Sequence, residues 1–190
     1  MPDPQQEPMD VAGFLAWSLS RPEGEAWELV GGTPLRMQAE KNRHNLLKTE
    51  VAVELRNAIR RGGDCRYFGD GVTVVIDEHH GYRPDGAVQC GGPVDLDGLT
   101  VESPIIVVEV LSPATAYRDT GEKLAAYLGL PSVRHYLVFD PVRLALTHHE
   151  RQATEGPILT SVLRGGALEL PPTGLVLDVD ACFAVLAEDG

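Results

Sequence analysis

The sequence predicts an α/β (α+β) domain, a mixed sheet flanked by helices, with a core in the order αβββαβ. Three stretches carry that expectation. Residues 42–61 place His44, Leu47, Val51, Leu55 and Ala58 on one face at about 100° per residue, which reads as a long amphipathic helix. Residues 104–110, Pro-Ile-Ile-Val-Val-Glu-Val, set four β-branched residues in a row before Glu109 and read as a buried strand. A second helical stretch at 119–129 and an apolar run at 133–139 then repeat the alternation.

The other elements follow in order. Residues 1–9 are polar and proline-rich and read as a tail, leaving 10–187 as a single domain. Asp10 is a candidate N-cap for a short helix reaching Leu19. Two short runs around Gly31-Gly32, spanning 26–37, have the form of a hairpin, and Pro34 sends its second strand to an edge. Such short strands are marginal alone, so the hairpin is expected to extend the central sheet or to join a dimer contact. Asn42 or its predecessors cap the long helix, and Gly62-Gly63 ends it. Residues 67–68 and 72–76 are strand-like, Asp77 to Gly81 form a polar turn, and 91–103 form a loop. Asp119 and Glu122 have capping-box spacing, and Gly129 and Pro131 close that helix. Residues 144–149 and 158–163 read as an antiparallel pair, and a short helix runs from Asp180 to Leu186.

Composition narrows the function classes. No apolar run approaches the roughly 20 residues needed to span a bilayer, and the first residues lack the features of an export signal. Cys65, Cys90 and Cys182 match neither a disulfide framework nor a zinc-ligand spacing, so a cytoplasmic location is expected. The net charge of −12 argues against a general polyanion binder. Between Lys41 and Arg66, however, seven basic residues face three acids. A basic helix on an acidic body can meet a phosphate backbone, and a solvated helix face is the plainer account of the same charges.

Two acids dominate the chemistry. Glu109 ends an apolar strand, where a carboxylate is costly unless it is paired or holds a cation. Asp85 follows Pro84 at the mouth of another apolar segment, and adjacent strands would bring both acids to one sheet edge. A divalent cation would neutralise the pair. An oxygen-rich donor set of Asp85, Glu109 and the Val110 carbonyl favours a hard ion, Mg2+ or Mn2+. Lys123, on the next helix, would position water or stabilise a developing oxyanion. His44 is either a satisfied core histidine or a group within reach of the metal water or a phosphate. His79-His80 and His148-His149 are assigned no metal, because adjacent side chains diverge in a strand.

Glu28-Leu-Val-x-Gly32, Arg83-Pro-Asp85, Val108-Glu-Val-Leu-Ser-Pro113, Asp119-x-x-Glu-Lys123, Tyr127 and Tyr136-x-Val-x-Asp-Pro141 together resemble the Uma-two family of bacterial restriction endonucleases. That family belongs to the PD-(D/E)XK phosphodiesterase superfamily, and the resemblance spans roughly residues 10–187. It implies a restriction-endonuclease-like fold, a DNA substrate and a homodimer. The superfamily lysine should fall two residues after Glu109, where this chain has Leu111. The resemblance implies that Lys123 has taken its place, and that Glu50 or Glu54 on the first long helix adds a water-mediated contact to the ion. Two other readings stay open: a catalytically silent nucleic-acid-binding or interaction module on the same fold, and a partner protein acting only within a complex.

Overall fold

The computed structural model of this chain describes residues 7–112, 121–153 and 156–187. In chain order its elements are α1 (Val11–Ser18), β1 (Trp27–Val30), β2 (Thr33–Arg36), α2 (Asn42–Gly62), β3 (Cys65–Gly69), β4 (Val74–Asp77), β5 (His80–Tyr82) and β6 (Gly86–Cys90). They continue with β7 (Pro104–Val110), α3 (Glu122–Gly129), β8 (His135–Asp140), β9 (Ala145–Arg151), β10 (Ile158–Leu163), β11 (Ala167–Leu170), β12 (Leu175–Asp178) and α4 (Val179–Ala187). The central sheet has the order β10-β9-β8-β7-β6-β3. It is mixed, since β7 and β8 run parallel and every other pair is antiparallel. The expected αβββαβ order is therefore α2-β3-β6-β7-α3-β8, with β4 and β5 diverted to another sheet.

β7 is apolar throughout because it is covered on both faces. Ile106, Val108 and Val110 join Leu47, Val51 and Leu55 of α2, while Val107 joins Tyr127 of α3 and Tyr136 of β8. Full burial of Leu47 or Leu55 stabilises the fold by roughly 1.5–3 kcal/mol each. The five residues placed on one face of α2 by periodicity are the five it buries. Of the expected caps, Asn42 or its predecessors, Lys41 is the N-cap, without a side-chain bond, and Asn42 is already helical. Among the described residues α3 begins after Gly121, and the Asp119 half of the expected capping box lies outside them. α4 and the β11–β12 pair close the far side of α2 through Leu170, Leu175, Leu177 and Phe183.

The N-terminal hairpin turns through Gly31 and Gly32, at φ of 55° and 74°, a backbone that glycine adopts without strain. It does not extend the central sheet. β1 pairs with β5, giving a separate sheet in the order β2-β1-β5-β4. The reason is local: β4 and β5 form their own hairpin at 74–82 and offer the nearer free edge. Asp10 caps α1 as expected, accepting from the Gly13 amide at 2.7 Å. Met9, placed in the tail by sequence, donates its amide to the Gly32 carbonyl.

The cysteines are the other departure. Cys65 and Cys90 stand directly opposite one another on β3 and β6 and are joined as a disulfide, while Cys182 is buried and free. Twenty-five residues separate them in sequence, so only the strand register reveals the pair. No helix among the described residues is long and apolar enough to cross a membrane.

Candidate active site

Asp85 is set by its neighbours. Pro84 restricts the backbone before it, and Gly86 begins β6. Gly86 pairs with Val108, so the same register carried one residue further puts Asp85 beside Glu109 at the ends of adjacent strands. A Cβ on Gly86 would come 2.5 Å from the Tyr67 hydroxyl, so glycine is what lets that ring cross the strand start. The Tyr67 hydroxyl in turn donates to the Asp85 carbonyl at 3.4 Å. The Asp85 carboxylate accepts the Val110 amide on Oδ2 at 2.7 Å, and its Oδ1 lies 3.1 Å from His44 Nε2. Asp85 and His44 are both buried.

Glu109 is held from the other side of the sheet. Lys123 Nζ lies 2.8 Å from Glu109 Oε1 and 2.8 Å from Glu28 Oε1. One turn along α3, Tyr127 donates its hydroxyl to the same Glu109 oxygen at 3.2 Å. Lys123 is only 2% exposed, which answers the question its position on a first helical turn leaves open: it points to the acids and not to solvent. Glu28 also accepts the Arg83 amide at 3.2 Å, which ties β1 to the segment leading into Asp85. Burial, then the negative charges of Glu109 and Glu28, push the Tyr127 phenol well above its ordinary value, so it stays a hydrogen-bond donor.

Asp85, Glu109, Val110, Lys123 and His44 all line one cavity of about 590 Å³, together with Glu28, Glu40 and, from the basic segment, Lys41 and Arg43. The two carboxylates reach it differently: Asp85 is bonded to a residue of α2, Glu109 to residues of α3. Glu50 and Glu54 are not among the lining residues. They lie toward α4, where, after burial itself, their charges help to raise the Cys182 thiol, and Glu54 accepts from Asn57. Arg56 and Arg60 border a separate, more open depression with Tyr67. The basic stretch thus serves two surfaces.

Sequence reasoning missed Glu28 and Glu40 as site residues. Glu28 carried the same signal as Glu109, a carboxylate inside an apolar strand, but its partner lies 95 positions away and is found only through the fold. Glu40 is an exposed residue just ahead of α2 and gives no sequence signal. Its Oε1 is 3.8 Å from His44 Nε2 and also accepts from Lys48, which is shared with Asp70. Burial opposes protonation of His44, but its hydrogen bond to Asp85 and the charges of Asp85 and Glu40 outweigh that and hold its pKa above the ordinary value. Glu40, His44 and Asp85 offer ligand atoms that all lie within 4.8 Å of one another. Oxygen donors with one imidazole fit a divalent cation, and of the ligands expected from the sequence, Asp85, Glu109 and the Val110 carbonyl, this group contains Asp85.

A mixed sheet with a carboxylate-and-lysine cavity at its strand ends is the architecture of a nuclease-like α/β fold, and the comparisons agree. The sequence profile of Uma2, described as "Putative restriction endonuclease", matches residues 11–180. The chain belongs to the Uma2 family. The uncharacterized protein slr1290 of Synechocystis is 25% identical over 175 residues, covering 92% of this chain and 90% of its own length. A second uncharacterized Synechocystis protein, sll1609, is 26% identical over 144 residues, covering 73% of this chain and 80% of its own. In three dimensions the chain is similar to a crystal structure from Anabaena variabilis described as "a putative nuclease belonging to DUF820". The TM-score is 0.73 at 18% identity, over 94% of this chain and 99% of that one.

Proposed function

We propose that this protein is a metal-dependent phosphodiester hydrolase acting on nucleic acid, with DNA as its substrate. The observation that carries the reading is the meeting of Asp85, Glu109 and Lys123. They come from three separate segments and line one cavity, with the lysine ammonium against Glu109. Membership of a family described as restriction endonucleases and likeness to a fold described as a nuclease support it.

In this reading Asp85, Glu109 and the Val110 carbonyl hold Mg2+ or Mn2+. The bound cation supplies Lewis acidity to a water and to a phosphodiester oxygen. Asp85 is held for that task by the Val110 amide on Oδ2 and by His44 on Oδ1. Lys123, oriented by Glu28 and Glu109, offers a positive donor to charge developing on the phosphoryl oxygens. Arg43 and Lys41 at the cavity rim supply the positive potential that a phosphate backbone needs on an otherwise acidic body. A homodimer belongs to the same reading, since one copy carries one such cavity and cutting both strands of a duplex takes two. A cytoplasmic location fits a DNA substrate.

One observation favours a second reading, a nucleic-acid-binding module without turnover: Lys123 is held between two acids and is 2% exposed, which restrains it from following a substrate. Nicking of supercoiled plasmid in Mn2+ separates the two. The hydrolase reading expects relaxed circles with the native protein and none with Glu109→Ala. No cleavage with any divalent cation, or equal cleavage by both proteins, would overturn it.

A further inference from the structure

The cavity joins two unlike surfaces. Asp85, Glu109 and Lys123 are 6%, 4% and 2% exposed, so the groups that would meet a phosphate lie at the floor of a recess. The other surface is apolar. Leu35 stands opposite Glu28 in the β1–β2 register, so both side chains share one sheet face, the face on which Glu28 meets Lys123. Met37, two residues on, keeps that side, and its amide continues the ladder by donating to the Ala26 carbonyl. Leu111 is two residues beyond Glu109 and so leaves the end of β7 on the side of that carboxylate. Val142 joins them from the turn after β8, where Asp140 accepts the Val142 and Arg143 amides at 2.8 and 2.9 Å. Leu35 is 44% and Val142 72% exposed, which leaves apolar surface open to water at the mouth of a site suited to an anion.

A ligand that fits both surfaces is anionic at one end and flat and apolar at the other. A nucleotide with its base free has that form. A perfect duplex does not: it offers phosphates, sugars and groove edges, and keeps its apolar base faces stacked inside. The volume of about 590 Å³ lies within the roughly 300–1,000 Å³ of sites that enclose one small ligand. We propose that the cavity takes one DNA nucleotide out of the stack, its phosphate toward Glu109 and Lys123 and its base against Leu35, Met37, Leu111 and Val142, so that the substrate class is single-stranded or locally unpaired DNA. The proposal rests on the hydrolase reading for what happens to the phosphate, not for how the base is held. Unstacking opposes entry from a perfect duplex and opposes it least where the nucleotide is already unpaired. Supercoiled plasmid stays a substrate, because negative supercoiling favours local strand separation.

The test uses the full chain and three labelled DNA probes of one sequence: a single strand, its perfect linear duplex, and a duplex with a short unpaired loop. Fluorescence anisotropy in Ca2+ is expected to show the single strand and the looped duplex binding about tenfold or more tighter than the perfect duplex. Leu35→Asn and Val142→Asn change exposed positions without adding charge, so the fold stays intact. Each is expected to weaken single-strand binding by about fivefold or more, the scale of covering the remaining apolar surface of one such side chain. In Mn2+ the native protein is expected to cleave the single strand and the looped duplex at least tenfold faster than the perfect duplex. Equal affinity for single strand and perfect duplex, a preference unchanged in both variants, or equal cleavage of all three probes overturns the unpaired-nucleotide site and leaves the hydrolase reading standing. The binding preference without cleavage of any probe overturns the hydrolase reading and upholds the base-binding surface. Binding of none of the three overturns both.

Discussion

At the carboxyl end of β7, Glu109 meets Lys123, Glu28 and Tyr127, while Asp85 beside it meets His44. At the amino end of the parallel neighbour β8 another set of polar side chains is equally buried. His135 Nε2 donates to the Pro171 carbonyl at 2.6 Å, and His135 Nδ1 lies 2.9 Å from His148 Nε2. Because a carbonyl only accepts, neutral His135 carries its proton on Nε2 and takes one from His148 on Nδ1. Arg151 nearby donates to the carbonyls of Leu130, Pro131 and Val133. Burial of polar groups is therefore common to both ends. The difference lies in charge and access. The Glu109 end gathers carboxylates and a lysine around a cavity, whereas at the His135 end one imidazole bonds the Pro171 carbonyl and a second imidazole, and Arg151 bonds backbone carbonyls. The first arrangement can take up a cation and a phosphate; the second holds the chain together.

The largest effect expected from breaking that contrast is at Lys123. Lys123→Ala leaves Glu28 and Glu109 buried without the cation between them, and removing one partner of a buried pair costs about 3–5 kcal/mol. Chemical denaturation should show that loss. Nicking at a temperature where the variant is folded should fall about 100-fold, the scale of one oxyanion donor. An unchanged nicking rate would remove Lys123 from the chemistry and leave it a purely structural ion-pair partner.

A smaller effect sharpens the comparison through pH, because histidines at the two ends have opposite signs. Burial, then the charges of His135 and His149, depress His148 from 6.5 to about 4, and burial depresses His135 as well. Below pH 6.5 the unfolded chain takes up protons that these folded imidazoles refuse. Their stability contribution is thus full above 6.5 and lost as the pH falls toward 4. His44 is raised, so its contribution is full below 6.5 and lost as the pH rises through its folded value. With chelator present, His148→Gln should reduce the stability lost between pH 6.5 and 5 by about 1–2 kcal/mol. His44→Gln should steepen the loss instead. Equal slopes in both variants would show that the two ends do not differ in this way.

Much of this contrast was legible in the sequence because its carriers follow local rules. The α2 stripe has a helical period, β7 is a β-branched run, and Lys123 and Tyr127 are four residues apart on one helical face. What was not legible depends on pairings between distant segments. Glu28 acquires its role because β1 joins β5 and so reaches Lys123, whereas the sequence suggests a hairpin that extends the central sheet or joins a dimer contact. Cys65 meets Cys90 only through the β3–β6 register. Glu40 enters the cavity from an exposed stretch with no pattern of its own. His135 meets His148 only because β8 and β9 pair side by side.

Thermal unfolding with and without Mn2+ tests the central claim most directly, namely that the Glu109 end of the sheet is a cation site and the His135 end is not. An ion at about one hundred times its dissociation constant stabilises the fold by about 2.7 kcal/mol, which for a chain of this size raises the midpoint by roughly 5–10 °C. The account predicts that rise in the native protein and in His148→Gln, and none in Asp85→Asn. An unmoved native midpoint, or an equal rise in Asp85→Asn, would contradict it.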